Sequence, residues 1–251
     1  MDDENLARTF TMTTQALKTQ IDHLVVAART LDEGVAWCEA TLGMTPQAGG
    51  EHEEYGTHNR LFKIATPSYP MAYFEIIAIN PNASIDQRSA HKRWFDLDDA
   101  ALQKAIANQP SLIHFVVNTS DIQLARNSWK EQGIDAGPAM HANRRTNKGM
   151  LNWQITVRDD GQRLFQGALP TLIQWGKPDA ADPMRLHPRN SLPRSGVSLQ
   201  QIHVTHPSAD KLKLAYESVD LKNIEVATGE ANIAVHLQTP KGLLVLQSLG
   251  L

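Results

Sequence analysis

The sequence predicts an α+β protein built from repeated βαβββ modules. Three short apolar segments rich in β-prone residues each carry a histidine, and these histidines lie roughly ninety residues apart. A segment with helical periodicity and an N-terminal capping residue follows each of them. Strand-like segments separated by turn residues come next. Because self-similarity at a fixed spacing is the signature of a repeated unit, these three observations predict the fold class.

The first unit begins with a strand at residues 21–26 (IDHLVV). Thr30 and Glu33 then form a capping box, in which the threonine hydroxyl accepts a hydrogen bond from the backbone of the first helical turn. Two strand-like segments follow at 58–65 and 71–79, and a turn rich in proline and serine joins them. The order strand, helix, strands is therefore complete within one unit.

The second unit repeats this order. Its first strand is predicted at residues 112–117 (LIHFVV), and Ser120 with Gln123 gives the capping signal of its helix. Strand-like segments follow at 149–158 and 164–175, joined through a turn that contains two aspartates and a glycine.

The third unit fits the pattern more loosely. It contains a strand at 201–206, a helix capped by Ser208, and strand-like segments at 231–238 and 242–249. Three roles are open to it: it can pair with another module, complete a dimer, or cover one face of a sheet.

These units define the predicted organisation of the chain. The first module with a linker helix at 86–107 occupies residues 20–110, and the second module occupies 111–176. A linker rich in proline and arginine follows at 177–198, and the degenerate third unit occupies 199–251.

The composition is typical of a soluble globular protein. The 251 residues carry a net charge of −3, so no excess of positive charge is available to bind nucleic acid. No apolar stretch approaches the ~20 residues that span a membrane. The single cysteine, Cys38, excludes an internal disulfide. The first twenty residues show no targeting signal, which predicts a cytoplasmic protein.

Four polar residues of the predicted strands are candidates for a metal site. His23 and His114 occupy the first strands of their units, while Glu75 and Gln174 occupy the last strands. An unpaired carboxylate inside a strand as apolar as 71–79 costs several kcal/mol, by order of magnitude, so it needs a partner. Two imidazoles, a carboxylate and an amide oxygen suit a divalent first-row metal. The residues leave a second interpretation open, in which the histidines are hydrogen-bonded core residues and Glu75 pairs with an arginine.

These residues resemble those of the vicinal-oxygen-chelate superfamily, and specifically its glyoxalase-like domain proteins (the glyoxalase, bleomycin-resistance and dioxygenase type). The most specific matches are Asp22-His23, the segment 56–60 (GTHNR) and the segment 169–175 (LPTLIQW), within a resemblance that covers residues 20–176. It implies that two modules form a cupped mixed sheet flanked by helices around a metal.

The resemblance also implies the metal ligands. The first and last strands of each module supply them, which assigns His23, Glu75, His114 and Gln174 to a divalent ion (Zn, Ni, Mn or Fe). A glutamate is usual where this chain has Gln174. Because the amide adds no charge, we expect a lower metal affinity here.

The function that the resemblance implies is a metal-dependent enzyme of the lyase or isomerase type, acting on a small oxygenated metabolite. The metal chelates two neighbouring substrate oxygens and stabilises an enolate or a similar anion. Glu75 or His58 is the candidate base, and Asn59 and Arg60 are candidates for binding a substrate carbonyl or carboxylate. Trp175 is the candidate aromatic wall of the pocket.

Two alternative functions remain open at this point. A ring-cleaving dioxygenase fits because two histidines and one carboxylate also suit non-haem iron. A metal-free protein that binds and sequesters a small molecule fits because Gln174 lacks a charge. In each case the partner is a small molecule, and the third unit can supply the surface of a homodimer.

Two further polar clusters carry weaker predictions. Arg144, Arg145 and Lys148 form a short basic run, predicted as a solvated loop, with an anion gate for the pocket as the alternative. His187 belongs to the linker and is predicted at the surface.

Overall fold

The computed structural model describes residues 17–83, 92–146, 148–177 and 180–251. Within these ranges the chain forms four α-helices and twelve β-strands. The helices are α1 (Leu31–Leu42), α2 (Ala100–Ile106), α3 (Ile122–Glu131) and α4 (Ala209–Ser218). No described helix has both the length and the apolar character needed to cross a membrane.

The first two modules share one eight-stranded sheet. The first module supplies β1 (Thr19–Ala27), β2 (Gln47–His52), β3 (Thr57–Lys63) and β4 (Tyr73–Ile79). The second module supplies β5 (Ser111–Thr119), β6 (Ala139–Thr146), β7 (Gly149–Thr156) and β8 (Thr171–Trp175). The strand order is β2-β3-β4-β1-β5-β8-β7-β6, so both modules have the same internal order and meet at β1 and β5.

The pairing directions confirm the predicted cupped mixed sheet. In each module the first strand runs parallel to the last, β1 beside β4 and β5 beside β8. The two first strands are antiparallel to each other. Because strands twist, a sheet of this length curves, and here it forms a cup with His23 and Glu75 on its concave side.

Capping explains where the helices of the two modules begin. The Thr30 hydroxyl accepts a hydrogen bond from the backbone N–H of Glu33 at 3.2 Å, as the sequence predicts. Gly43 ends α1 with a positive φ of 76°, a conformation that glycine adopts without strain. At α3 the cap is Asp121 instead of the predicted Ser120, because the aspartate carboxylate accepts from two backbone N–H groups.

Two separate hydrophobic cores lie on opposite faces of the large sheet. The inner core fills the cup and contains Val25, Ile77, Val116 and Ile173. The outer core lies on the convex face, between the sheet, α1 and α3, and includes Phe74. Strand alternation decides which side chain joins which core.

The third unit covers the convex face of the large sheet. Its strands β9 (Ser198–Thr205), β10 (Glu225–Ala227), β11 (Asn232–Thr239) and β12 (Gly242–Gln247) form a sheet of order β10-β9-β11-β12. Apolar side chains of this unit belong to the outer core. Trp129 of α3 also donates its indole N–H to the carbonyl of Ala215 at 2.8 Å. Of the three predicted roles, the structure therefore supports the covering one.

Several predicted segments differ from the structure, and of the strand predicted at 164–175 only Thr171–Trp175 is a strand. Of the helix predicted at 86–107, residues 86–91 lie outside the described residues, residues 92–99 form turns and short irregular segments, and only Ala100–Ile106 is helical, with Asp99 as its cap. The basic run before β7 is not a loop, because Arg144 and Arg145 lie in the edge strand β6. Charged side chains are common on edge strands, where they discourage pairing with other chains.

Candidate active site

A β-bulge in β1 turns two polar residues into the cup. Ile21 pairs with Val117 and His23 pairs with Val116, so Asp22 is an extra residue on β1. A bulge breaks the alternation of side chains and re-aims them. Residues two apart on a strand normally face the same side. Because of the bulge, Ile21 instead packs in the outer core, while His23 faces the inner side of the cup. Asp22 and His23 are instead both buried beside each other.

A network of buried polar groups connects these residues. His23 Nδ1 donates to Asp22 Oδ1 at 2.7 Å, and His23 Nε2 lies 3.5 Å from Glu75 Oε2. The Asn59 amide donates to the other oxygen of Glu75 at 2.5 Å. The Tyr73 ring stacks on the imidazole of His23, with 4.6 Å between ring centroids. Glu75 thus has the partner that its apolar strand requires, and this partner is a histidine.

The protonation states of His23 and Glu75 follow from their burial and their contacts. Burial by itself lowers the pKa of His23, but the hydrogen bonds to Asp22 and Glu75 outweigh it and raise that pKa to about 9. Burial raises the pKa of Glu75, but the hydrogen bond and the charge of His23 outweigh it, so the pKa lies below its usual range. At neutral pH the pair therefore consists of a protonated imidazole and an ionised carboxylate.

Asp22 accepts hydrogen bonds from several members of this buried polar network. Besides His23 it accepts hydrogen bonds from Trp175 Nε1 at 2.8 Å, from His187 Nε2 at 3.0 Å and from Asn118 Nδ2 at 3.3 Å. Burial alone raises the Asp22 pKa, but His187 and His23 hold it well below its usual range. The prediction that His187 lies at the surface is wrong, because its side chain is 0% exposed.

Stability is expected to depend on pH through His23. Its folded pKa of about 9 exceeds the ordinary 6.5, so its contribution is complete below pH 6.5 and disappears as the pH rises through 9. The groups that face it are Asp22, Glu75 and Tyr73. Between pH 6.5 and 8 we expect the free energy of unfolding to fall by up to ~1.4 kcal/mol per pH unit, in urea titrations. A His23→Gln variant whose slope equals that of the wild type would contradict this assignment.

The buried polar network borders a small inner cavity of about 40 Å³. Its polar lining includes His23, His52, Asn59, Glu75 and Arg144, and its aromatic walls are Trp94, Phe95, Trp153 and Trp175. Burial lowers the pKa of His52 to about 4, so this imidazole is neutral at neutral pH. Aromatic walls with a few convergent polar groups are typical of small-molecule sites.

His114 has both ring nitrogens engaged. Its Nδ1 donates to the carbonyl of Gly167 at 2.8 Å. Its Nε2 accepts from the backbone N–H of Thr171 at 3.1 Å and lies 3.0 Å from the Thr171 hydroxyl. Burial and the nearby Arg163 lower its pKa to about 3, which keeps it neutral. The structure therefore does not bring His114 to Glu75 as a free ligand, because neither nitrogen has a lone pair to offer.

The strand register shows which residue of the second module corresponds to Glu75. Val25, two residues after His23, pairs with Glu75. Val116, two residues after His114, pairs with Thr171. Thr171 thus holds the equivalent position, and its hydroxyl contacts His114 as the carboxylate of Glu75 contacts His23. The second module carries a hydroxyl where the first carries a charge.

Gln174 lies on the opposite face of β8 from the predicted metal site. Its Oε1 accepts from the backbone N–H of Ile122 at 2.9 Å, and its Nε2 donates to the carbonyl of Ser120 at 3.1 Å. These contacts hold the first turn of α3 on the convex side. The assignment of Gln174 to a metal is corrected for this reason: it is three residues from Thr171, and alternation turns it outward.

Replacing Gln174 with alanine is expected to cost stability and to leave the cup intact. Two hydrogen bonds at the start of α3 are lost, which corresponds to about 1–2 kcal/mol in the free energy of unfolding measured with urea. Fluorescence of the cup tryptophans in the folded state should remain that of the wild type. A variant with unchanged stability and altered tryptophan emission would indicate a role inside the cup.

His58 and Arg60 also lie outside the cup. They pair with Ala78 and Ile76 of β4, which point into the outer core, whereas the intervening Asn59 pairs with Ile77 of the inner core. The predicted roles of His58 as a base and Arg60 as a substrate ligand are corrected by this alternation. Asn59 and Trp175 do line the inner cavity.

The donor set does not fit a divalent metal. Catalytic zinc sites use three protein ligands, and a 2-His-1-carboxylate site does the same for iron. Of the four predicted ligands, only His23 and Glu75 meet at the inner cavity. Among the residues that the structure describes, no group of three or more His, Cys, Asp or Glu side chains is arranged to hold a metal ion.

Comparison with known proteins places this architecture in context. A Glyoxalase-like domain profile matches residues 21–219. A hypothetical protein from Staphylococcus aureus has a crystal structure that aligns with a TM-score of 0.57 at 17% identity, covering 85% of this chain and 87% of that one. Methylmalonyl-CoA epimerase from Streptomyces coelicolor aligns at a TM-score of 0.37 and 18% identity, covering 62% and 93% of the two chains. No curated protein matches. The first of these structures supports the fold, while the second is too distant to support more.

Proposed function

Because the chain belongs to the Glyoxalase-like domain family, we propose that it is an enzyme that moves a proton on a small oxygenated metabolite without a metal. The reaction is of the isomerase or lyase type. One observation carries this proposal: the imidazole of His23 and the carboxylate of Glu75 are buried 3.5 Å apart at the edge of an aromatic cavity. Acid–base pairs of this kind are characteristic of active sites.

The proposed reaction uses Glu75 as the base. Its carboxylate accepts a proton from a carbon next to a substrate carbonyl, and the electron pair of the broken C–H bond forms an enolate. The imidazolium of His23 donates a hydrogen bond to the oxygen on which negative charge develops. Glu75 then returns the proton to the enolate, which completes an exchange or an isomerisation.

The geometry of the His23–Glu75 pair allows both side chains to exchange their mutual contact for contacts with the substrate. The 3.5 Å between His23 Nε2 and Glu75 Oε2 exceeds the usual 2.7–3.2 Å of a hydrogen bond, so a substrate can replace this contact at small cost. Asp22 holds the opposite nitrogen of His23 and thereby fixes the direction of its N–H. Asn59 fixes the other oxygen of Glu75.

The metal-dependent form of this enzyme and the iron dioxygenase have less support. Both require a divalent ion such as Zn, Ni, Mn or Fe with at least three protein ligands, and only two of the predicted ligands meet at the cavity. The sequestering protein remains a second candidate, because five aromatic side chains, including Tyr73, surround the cavity as in many small-molecule binding sites.

The experiment that tests this proposal is solvent deuterium exchange. The protein is treated with a chelator and desalted, and a panel of small 2-oxo and 2-hydroxy carbonyl compounds is incubated with it in D₂O and followed by proton NMR. We expect catalysed exchange at the carbon next to the carbonyl in at least one compound, at the same rate with and without chelation. Exchange that is abolished by the chelator and restored by one metal would contradict the metal-free proposal. Tight binding without exchange would favour the sequestering protein.

A further inference from the structure

A second and much larger cavity adjoins the inner one. This outer cavity has a volume of about 610 Å³ and shares Leu61, Arg144, Leu151 and Pro188 with the lining of the inner cavity. Its cationic side chains are Arg144, Arg145, Lys148 and Arg185, and its acidic side chains are Glu51 and Glu53. Positive charge therefore predominates in the outer cavity, which borders the inner cavity at Arg144.

Arg144 stands at the boundary of the two cavities without a partner. In the described part of the chain, no hydrogen bond or ion pair joins its guanidinium to any other residue. Arg144 as a residue is half-buried, and its side chain has no carboxylate partner. A planar cation of this kind is well suited to bind a carboxylate or a phosphate group through two hydrogen bonds.

The backbone of β2 is adapted to this arginine. A Cβ atom built on Gly50 would lie 1.6 Å from Arg144 Nη1, so any side chain at this position would force the guanidinium away. The N–H of Gly50 donates to Asn59 Oδ1 at 2.7 Å, and Asn59 in turn holds Glu75. One continuous set of contacts thus connects the site of the unpaired arginine to the proposed base.

We propose that Arg144 binds an anionic oxygen group of the substrate, a carboxylate or a phosphate. The substrate is then a small organic anion whose reactive carbon enters the inner cavity while its charged end stays at Arg144. Any longer part lies in the outer cavity beside Arg145, Lys148 and Arg185. The inference that the bound anion is a substrate rests on the proposed function, whereas anion binding itself requires no turnover.

Thermal unfolding with simple anions tests this inference. The melting temperature is measured in sodium chloride, sodium pyruvate and sodium phosphate at one pH and one ionic strength. We expect pyruvate or phosphate to raise the melting temperature of the wild type by at least ~3 °C above chloride. Arg144→Gln should lose this shift, and Arg29→Gln, a surface variant just before α1, should retain it.

The possible outcomes distinguish a carboxylate ligand from a phosphate ligand, and they distinguish failure of the anion site from failure of the proposed function. A shift with pyruvate alone indicates a carboxylate, and a shift with phosphate alone indicates a phosphate ester. Glu75→Gln should keep the shift, because it removes only a negative charge. Retention of the shift by a protein that catalyses no proton exchange would leave the anion site standing and refute the proposed function. No shift in the wild type, or an equal shift in Arg144→Gln, would overturn the inference.

Discussion

Replacing Glu75 with glutamine is expected to slow the deuterium exchange by at least ~100-fold, because an amide cannot accept the substrate proton. The glutamine side chain has nearly the same shape, and it can still hydrogen bond to Asn59, so the fold is expected to survive. Removing the charge also removes an attraction that raises the His23 pKa, which should move toward its ordinary value. Proton NMR gives both the exchange rate and the histidine titration.

His58→Gln is the matched control for this variant. His58 was also a candidate base, but it lies on the convex side of β3. We expect its exchange rate to stay within about twofold of the wild type. A Glu75→Gln protein that exchanges at the wild-type rate, or a His58→Gln protein that loses the activity, would refute the assignment of the base.

Replacing Asp22 with alanine is expected to lower the free energy of unfolding by about 3–5 kcal/mol. The change removes one of the two carboxylates that balance the buried imidazolium of His23, and it removes the acceptor of Trp175 and His187. Urea denaturation measures the loss. Asp210→Ala is the control, because that side chain is 95% exposed and should change stability by no more than about 0.5 kcal/mol.

Asp22→Asn separates positioning from stability. The amide keeps the size of the side chain and can accept from some of the same donors, but it carries no charge. We expect the pKa of His23 to fall and the pH profile of exchange to shift with it, because Asp22 raises that pKa in the wild type. A lower stability together with an unchanged His23 titration would reduce Asp22 to a packing role.

The sequence predicts the fold well because its signals are local. The capping box at Thr30, the strand around Glu75 and the repeated histidines are all visible within a few residues, and the structure bears out the elements that they predict. The first module was predictable in particular, since Glu75 is the one charge in an otherwise apolar strand.

The candidate site is less predictable because it depends on pairing between distant strands. The bulge at Asp22 exists only relative to β5, and a single strand carries no record of it. The correspondence between Thr171 and Glu75 depends on the register of β5 against β8. Counting residues along the sequence therefore points to Gln174, which lies three residues after the equivalent position. His187 belongs to a segment without periodicity, and only the folded linker brings it to Asp22.

Metal binding is the most direct test of the central claim that this cup works with a His23–Glu75 pair and no metal. The wild type and Glu75→Gln are each incubated with Zn²⁺, Ni²⁺, Mn²⁺ or Fe²⁺ (iron under anaerobic conditions), desalted, and analysed by mass spectrometry for metal per chain. We predict less than about 0.1 equivalent of any metal in the wild type, and no difference between the two proteins. One equivalent in the wild type that disappears in Glu75→Gln would contradict the account.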